Sequence, residues 1–80
     1  MFQTAWSKPV FVRLLATTHP IRTPSDARTF LVDIWPFSPG EAYERALDAS
    51  QSCFQGHTTA EEVRIAFIAA CREANILVGI

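Results

Sequence analysis

The chain has 80 residues, 49% of them hydrophobic and 19% charged, with a formal net charge of −1. That length holds one core and excludes a second domain, the scattered Lys and Arg leave no electrostatic footprint for nucleic acid, and no stretch approaches the ~20 apolar residues that span a bilayer. An average domain is nearer ~25% charged, so the apolar surplus predicts exposed apolar surface and, with it, a second copy or another protein as partner.

Residues 1–8 mix polar and aromatic side chains without a period and read as a flexible arm that Trp6 can anchor. Lys8 precedes an apolar stretch, but Arg13 interrupts it and no small-residue cleavage site follows, so no signal peptide is expected. The two cysteines then read as free thiols of a reducing compartment, the cytoplasm. Pro9 opens a β-hairpin over 9–23. Residues 10–16 alternate, with Val10, Val12 and Leu14 on one face and Phe11, Arg13 and Leu15 on the other. A turn through Thr17, Thr18, His19 and Pro20 leads to a short return at 21–23. Pairing Ala16 with Ile21 sets Leu15 opposite Arg22, so Phe11, Arg13, Leu15 and Arg22 are expected on one half-apolar, half-cationic face.

Helix 1 is predicted over 24–35. Thr23 caps it, Pro24 suits its first position, Asp26 reaches back to the cap amide, and Ala27, Phe30, Leu31 and Ile34 form its core stripe. Trp35-Pro36 stops it, because a residue before proline avoids the helical region. Ser38-Pro39-Gly40-Glu41 repeats the capping pattern and starts helix 2, over 39–55, with Tyr43, Ala46, Leu47, Ser50, Cys53 and Phe54 inward. Gly56 stands where a left-handed residue ends the helix. Thr59 with Glu62 opens helix 3 over 60–75, whose main stripe is Val63, Ala66, Phe67, Ala70 and Ala74. Ile65, Ile68, Ala69 and Cys71 extend its apolar surface around most of the circumference. Asn75 is the stop, and residues 76–80 read either as a third strand or as a docked tail. The expected fold is α+β in the order ββααα(β).

Pro9-Val10, Trp35-Pro36, Tyr43 with Ala46, Cys53 with Gly56, and Val63-Arg64-Ile65-Ala66-Phe67 through Ala70 to Ile76 together carry a resemblance. In that combination the chain resembles the domain of unknown function 982 family from Lys8 to Ile76. The resemblance implies a small stand-alone bacterial protein and brings no reaction, cofactor or partner with it.

Cys53 and Cys71 fall on helical core stripes, where a free thiol acts as a small hydrophobe. With His19 and His57 they would make a ligand set acceptable to zinc, but Gly56 interrupts the helix between Cys53 and His57 and no CxxC pair exists, so no metal is expected. Ser50, Ser52 and Cys53 are mid-helix, unlike a nucleophile on a strained turn, and Gly40, Gly56 and Gly79 make no phosphate loop, so neither catalysis nor a cofactor is expected. Trp6 and Trp35 read as core aromatics, and Arg64 as a solvated partner of Glu61. The turn between helices 2 and 3 has a helix-turn-helix outline, but the second helix begins Ala60-Glu61-Glu62, which phosphate would repel. The sequence therefore predicts a non-catalytic interaction module that self-associates through Phe11, Arg13, Leu15, Arg22, Ile65 and Ile68. The alternative is nucleic-acid or anionic-ligand binding through Arg13 and Arg22.

Overall fold

The computed structural model describes residues 5–80; the first four residues of the expected arm lie outside the described residues. Strands β1 (Val10–Leu14), β2 (Thr17–Ile21) and β3 (Leu77–Gly79) form one antiparallel sheet in the order β2-β1-β3. Residues 76–80 thus supply a strand, not a docked tail. Helices α1 (Pro24–Thr29), α2 (Glu41–Phe54) and α3 (Ala60–Glu73) are inserted between β2 and β3. They join one core with Val10, Val12 and Ile21 on the inner face of the sheet.

The hairpin turns earlier than its sequence suggests. Leu15 and Ala16, at φ 52° and 66°, make a two-residue turn, and β2 begins at Thr17. Val10 therefore pairs with Ile21, Phe11 with Pro20, Val12 with His19, Arg13 with Thr18 and Leu14 with Thr17. The expected pairings of Ala16 with Ile21 and Leu15 with Arg22 do not form. Burial decides the register, since a slip of one residue would turn Ile21 or the Val10-Val12 pair out of the core. In a ladder closed by a two-residue turn, pairs 10–21, 12–19 and 14–17 exchange hydrogen bonds and the pairs between them do not. The Pro20 nitrogen consequently faces the outer edge of β2, where proline removes a donor that another strand could use.

Trp6 anchors the arm. It is buried, its main-chain N–H donates to the Arg22 carbonyl (2.8 Å), and its indole N–H donates to the Ala60 carbonyl (2.8 Å). Thr23 caps α1 by accepting from the Asp26 amide at 3.0 Å. The Asp26 carboxylate accepts from the Arg22 amide, at 3.2 Å, not from the cap residue itself. After Thr29 the helix widens into a π turn, Phe30–Ile34, closed by the Trp35 amide donating to the Phe30 carbonyl at 2.9 Å. A wider turn carries an extra residue per revolution. Trp35, not Ile34, accordingly comes round to Phe30, with the rings edge-to-face at 5.9 Å, and Ile34 is left 41% exposed. Tyr43 packs on Trp35 and donates its hydroxyl to the Leu31 carbonyl at 2.8 Å.

The capping pattern at Ser38 does not operate, because α2 starts at Glu41, two residues later than expected, with Gly40 at the cap position and no side-chain cap. Glu73, at the end of α3, takes over by accepting from the Ala42 amide at 3.3 Å. A carboxylate at a helix start is electrostatically favourable. A Cβ at position 40 would stand 2.6 Å from the Glu73 carboxyl carbon, so glycine leaves the room this contact needs. The contact also fixes α2 and α3 as antiparallel neighbours. Gly56, at φ 82°, ends α2 as expected: the His57 amide bonds to the Ser52 carbonyl and the Gly56 amide to Cys53. Asn75, at φ 60°, does the same for α3, with the Ile76 amide on Cys71 and the Asn75 amide on Arg72. Thr59 and Glu62 form the expected reciprocal box.

Candidate functional site

The helices cover one face of the sheet. Alternation puts Phe11 and Arg13 of β1 on the other, beside their cross-strand partners Pro20 and Thr18. Leu77 pairs with Val12 and packs inward, the register slips between this pair and Phe11–Gly79, and Val78 at the slip is 56% exposed. The Phe11 ring lies over Gly79, 3.9 Å from where a Cβ would stand. Phe11, Pro20 and Val78 thus make an apolar band, flanked by Arg13 and Thr18.

Of the six residues expected at an interface, the structure keeps Phe11 and Arg13 together. Leu15 leaves the strand face for the tip of the hairpin, where it is 91% exposed. Arg22 lies just beyond β2, four residues along from the partner of Arg13, a backbone offset of about 13 Å at ~3.3 Å per residue. The observed register therefore sets Arg13 and Arg22 farther apart along the ribbon than the expected pairing does. Ile65 is 59% exposed but belongs to the helical layer, and Ile68 is only 8% exposed, within the core. Ile68 is corrected from an interface residue to a core residue: α3 has two buried flanks, and it points into one of them.

A cleft of about 240 Å³ opens between β2 and the start of the first helix, lined by His19, Pro20, Ile21, Asp26, Thr29, Phe30 and Ile34. Its back wall is Phe30, with the His19 ring edge-on at 5.9 Å. Asp26 and Thr29 sit at the rim. By sequence pattern His19 and Pro20 belong to a turn, Asp26 to a cap, and Phe30 and Ile34 to a core stripe. Only the shifted hairpin and the π turn bring them round one opening, and neither has a local signature.

Among the described residues the Trp35 indole N–H is buried without a hydrogen-bond partner, while the nucleophilic groups of the core are occupied or quenched. The Ser50 hydroxyl, fully buried, donates to the Leu47 carbonyl at 2.8 Å. Burial pushes the Cys71 thiol up to about 12. Cys53 and Cys71 are both free and buried, and the antiparallel packing sets them toward opposite ends of the helix pair. Among the described residues, no group of three or more His, Cys, Asp or Glu converges as a metal site, and no helix is long and apolar enough to cross a membrane. Arg64 is held more firmly than a solvated side chain: its guanidinium donates to the Lys8 carbonyl (3.2 Å) and pairs with Glu61 at 3.6 Å.

The family model of the proteins of unknown function DUF982 matches residues 8–78, nearly the whole chain. The chain belongs to the DUF982 family. This DUF982 protein is also similar to Agrobacterium tumefaciens protein Atu1219, a structural-genomics target solved by NMR. The two are 31% identical, with a TM-score of 0.77 over 96% of this chain and 78% of that one. No curated protein matches the chain.

Proposed function

We propose that this DUF982 protein is a non-catalytic module that self-associates through the outer face of its sheet. One observation carries the reading: a three-stranded sheet covered on one side only, whose bare side bears Phe11, Pro20 and Val78. A second copy is the partner because an apolar band with an almost neutral chain behind it meets its own image without charge repulsion. The spent Ser50 hydroxyl and the raised Cys71 thiol support a non-catalytic role, since neither nucleophile is activated. Two free, buried cysteines are in keeping with a reducing cytoplasm.

The test is sedimentation equilibrium across the micromolar range at two salt concentrations, for the natural chain and for Val78→Lys. The expected result is a dimer that holds or tightens as salt rises and that Val78→Lys weakens. A natural chain that stays monomeric at high micromolar concentration refutes the reading.

A further inference from the structure

The bare sheet face is too small to hold two copies together alone. Two strands of five residues and one of three, ~4.8 Å apart, cover roughly 200 Å² in plan, against about 800 Å² per partner in a stable complex. A working interface has to continue onto neighbouring surface, and the hairpin offers two features that local physics leaves unexplained.

The first is Leu15. A two-residue hairpin turn with both residues at positive φ favours Asn-Gly, because a Cβ is disfavoured in the left-handed region. Here the pair is Leu-Ala at φ 52° and 66°, and the leucine, 91% exposed, recovers nothing by burial. Strain held at an exposed apolar residue is the pattern of a contact made outside the monomer. The second is the cleft beside β2. At about 240 Å³ it lies below the ~300 Å³ at which pockets for drug-sized ligands begin, and four of its seven lining residues, Pro20, Ile21, Phe30 and Ile34, are apolar, beside His19, Asp26 and Thr29. That is room for one aliphatic side chain.

Tip and cleft lie at opposite ends of one hairpin, four to six residues apart along β2, or about 15 Å at ~3.3 Å per residue. A twofold axis near the middle of β2 exchanges the two ends. Such an axis closes the assembly at two copies, where a one-way insertion would propagate into a filament. Pro20 removes a donor from the outer edge of β2 and so disfavours a continuous strand ladder at this junction, which leaves side-chain insertion as the contact. We infer that Leu15 of each copy seats in the cleft between β2 and the π turn of the other. This inference rests on the self-association proposed above and names its anchor.

The experiment compares dimer dissociation constants for the natural chain, Leu15→Asn, Ile34→Lys, their double variant and Val78→Lys, with folding checked by circular dichroism and thermal melts. Leu15→Asn suits the turn, so its fold holds. Burying a leucine is worth at least tenfold in affinity, and the symmetric pair about a hundredfold. The expected result is a loss of that order for Leu15→Asn, a comparable loss for Ile34→Lys, and no further loss in the double variant, since both remove one contact. If Leu15→Asn dimerises like the natural chain while Val78→Lys does not, this inference is overturned and the sheet-face reading stands. Additive losses in the double variant overturn it too, and a monomeric natural chain overturns both.

Discussion

Replacing Leu15-Ala16 by Asn-Gly should make the monomer more stable, although it deletes a leucine. Both residues sit in the left-handed region, where a non-glycine residue costs roughly 1–2 kcal/mol. Asparagine tolerates that region and glycine occupies it freely, but glycine also loosens the unfolded chain, which takes back ~0.4–1 kcal/mol. Leucine contributes almost no burial to offset this, being 91% exposed. The net gain is about 1 kcal/mol. For 80 residues at ~2.1 cal/mol/K each, the unfolding entropy is about 0.17 kcal/mol/K, so the melting temperature should rise by about 6 °C. The assay is a far-ultraviolet circular dichroism melt at a dilution where the chain is monomeric. An unchanged or lower melting temperature would refute the reasoning, because it would mean that the Leu15 side chain already stabilises the isolated fold.

Two further outcomes follow from the helix ends and the buried thiol. Thr59→Ala should lower the urea midpoint by the equivalent of about 1–2 kcal/mol, since it removes the acceptor for the Glu62 amide, whereas Ser38→Ala should change it little because Gly40, not Ser38, is the cap residue of α2. The Cys71 thiol stays protonated in the folded chain up to about 12, against an ordinary value of 9.0, so its stability contribution is complete below pH 9 and is lost as pH rises toward 12. Between those limits, stability of the natural chain should fall relative to Cys71→Ala by about 1.4 kcal/mol per pH unit, read from urea midpoints; parallel curves would show that the thiol ionises in the folded state as it does in the unfolded one.

The helical half of the fold was legible because its instructions are local. Thr23, Thr59, Gly56 and Asn75 each act on backbone groups within a few residues, and all four occupy the positions their chemistry suggests. Where the partner is distant, the sequence pattern misled. Ser38 looks like a cap, yet the group that serves α2 is Glu73, 31 residues from the amide it accepts. The hairpin was misplaced for a related reason: Thr-Thr-His-Pro has stronger turn chemistry than Leu-Ala, but only a turn at Leu15 lets Ile21 lie opposite Val10 in the core. The π turn advanced the aromatic contact from Ile34 to Trp35, which periodicity at a fixed 3.6 residues does not anticipate. Of the candidate surface, Phe11 and Arg13 could be read from alternation alone. The cleft could not, because it exists only through those two shifts.

The central strand of the sheet has neighbours made at very different times. Its partner β2 follows after two residues and can zip as soon as both are synthesised, within microseconds. Its other partner, β3, pairs Phe11 with Gly79, almost the full length of the chain away. Closing a loop of that span is slow relative to local zipping. Until then the second edge of β1 stands open, and the core beneath Val10 and Val12 lacks Ile76 and Leu77. The sheet is therefore completed last, and a chain lacking β3 should stall in a hairpin-plus-helices state with an exposed strand edge.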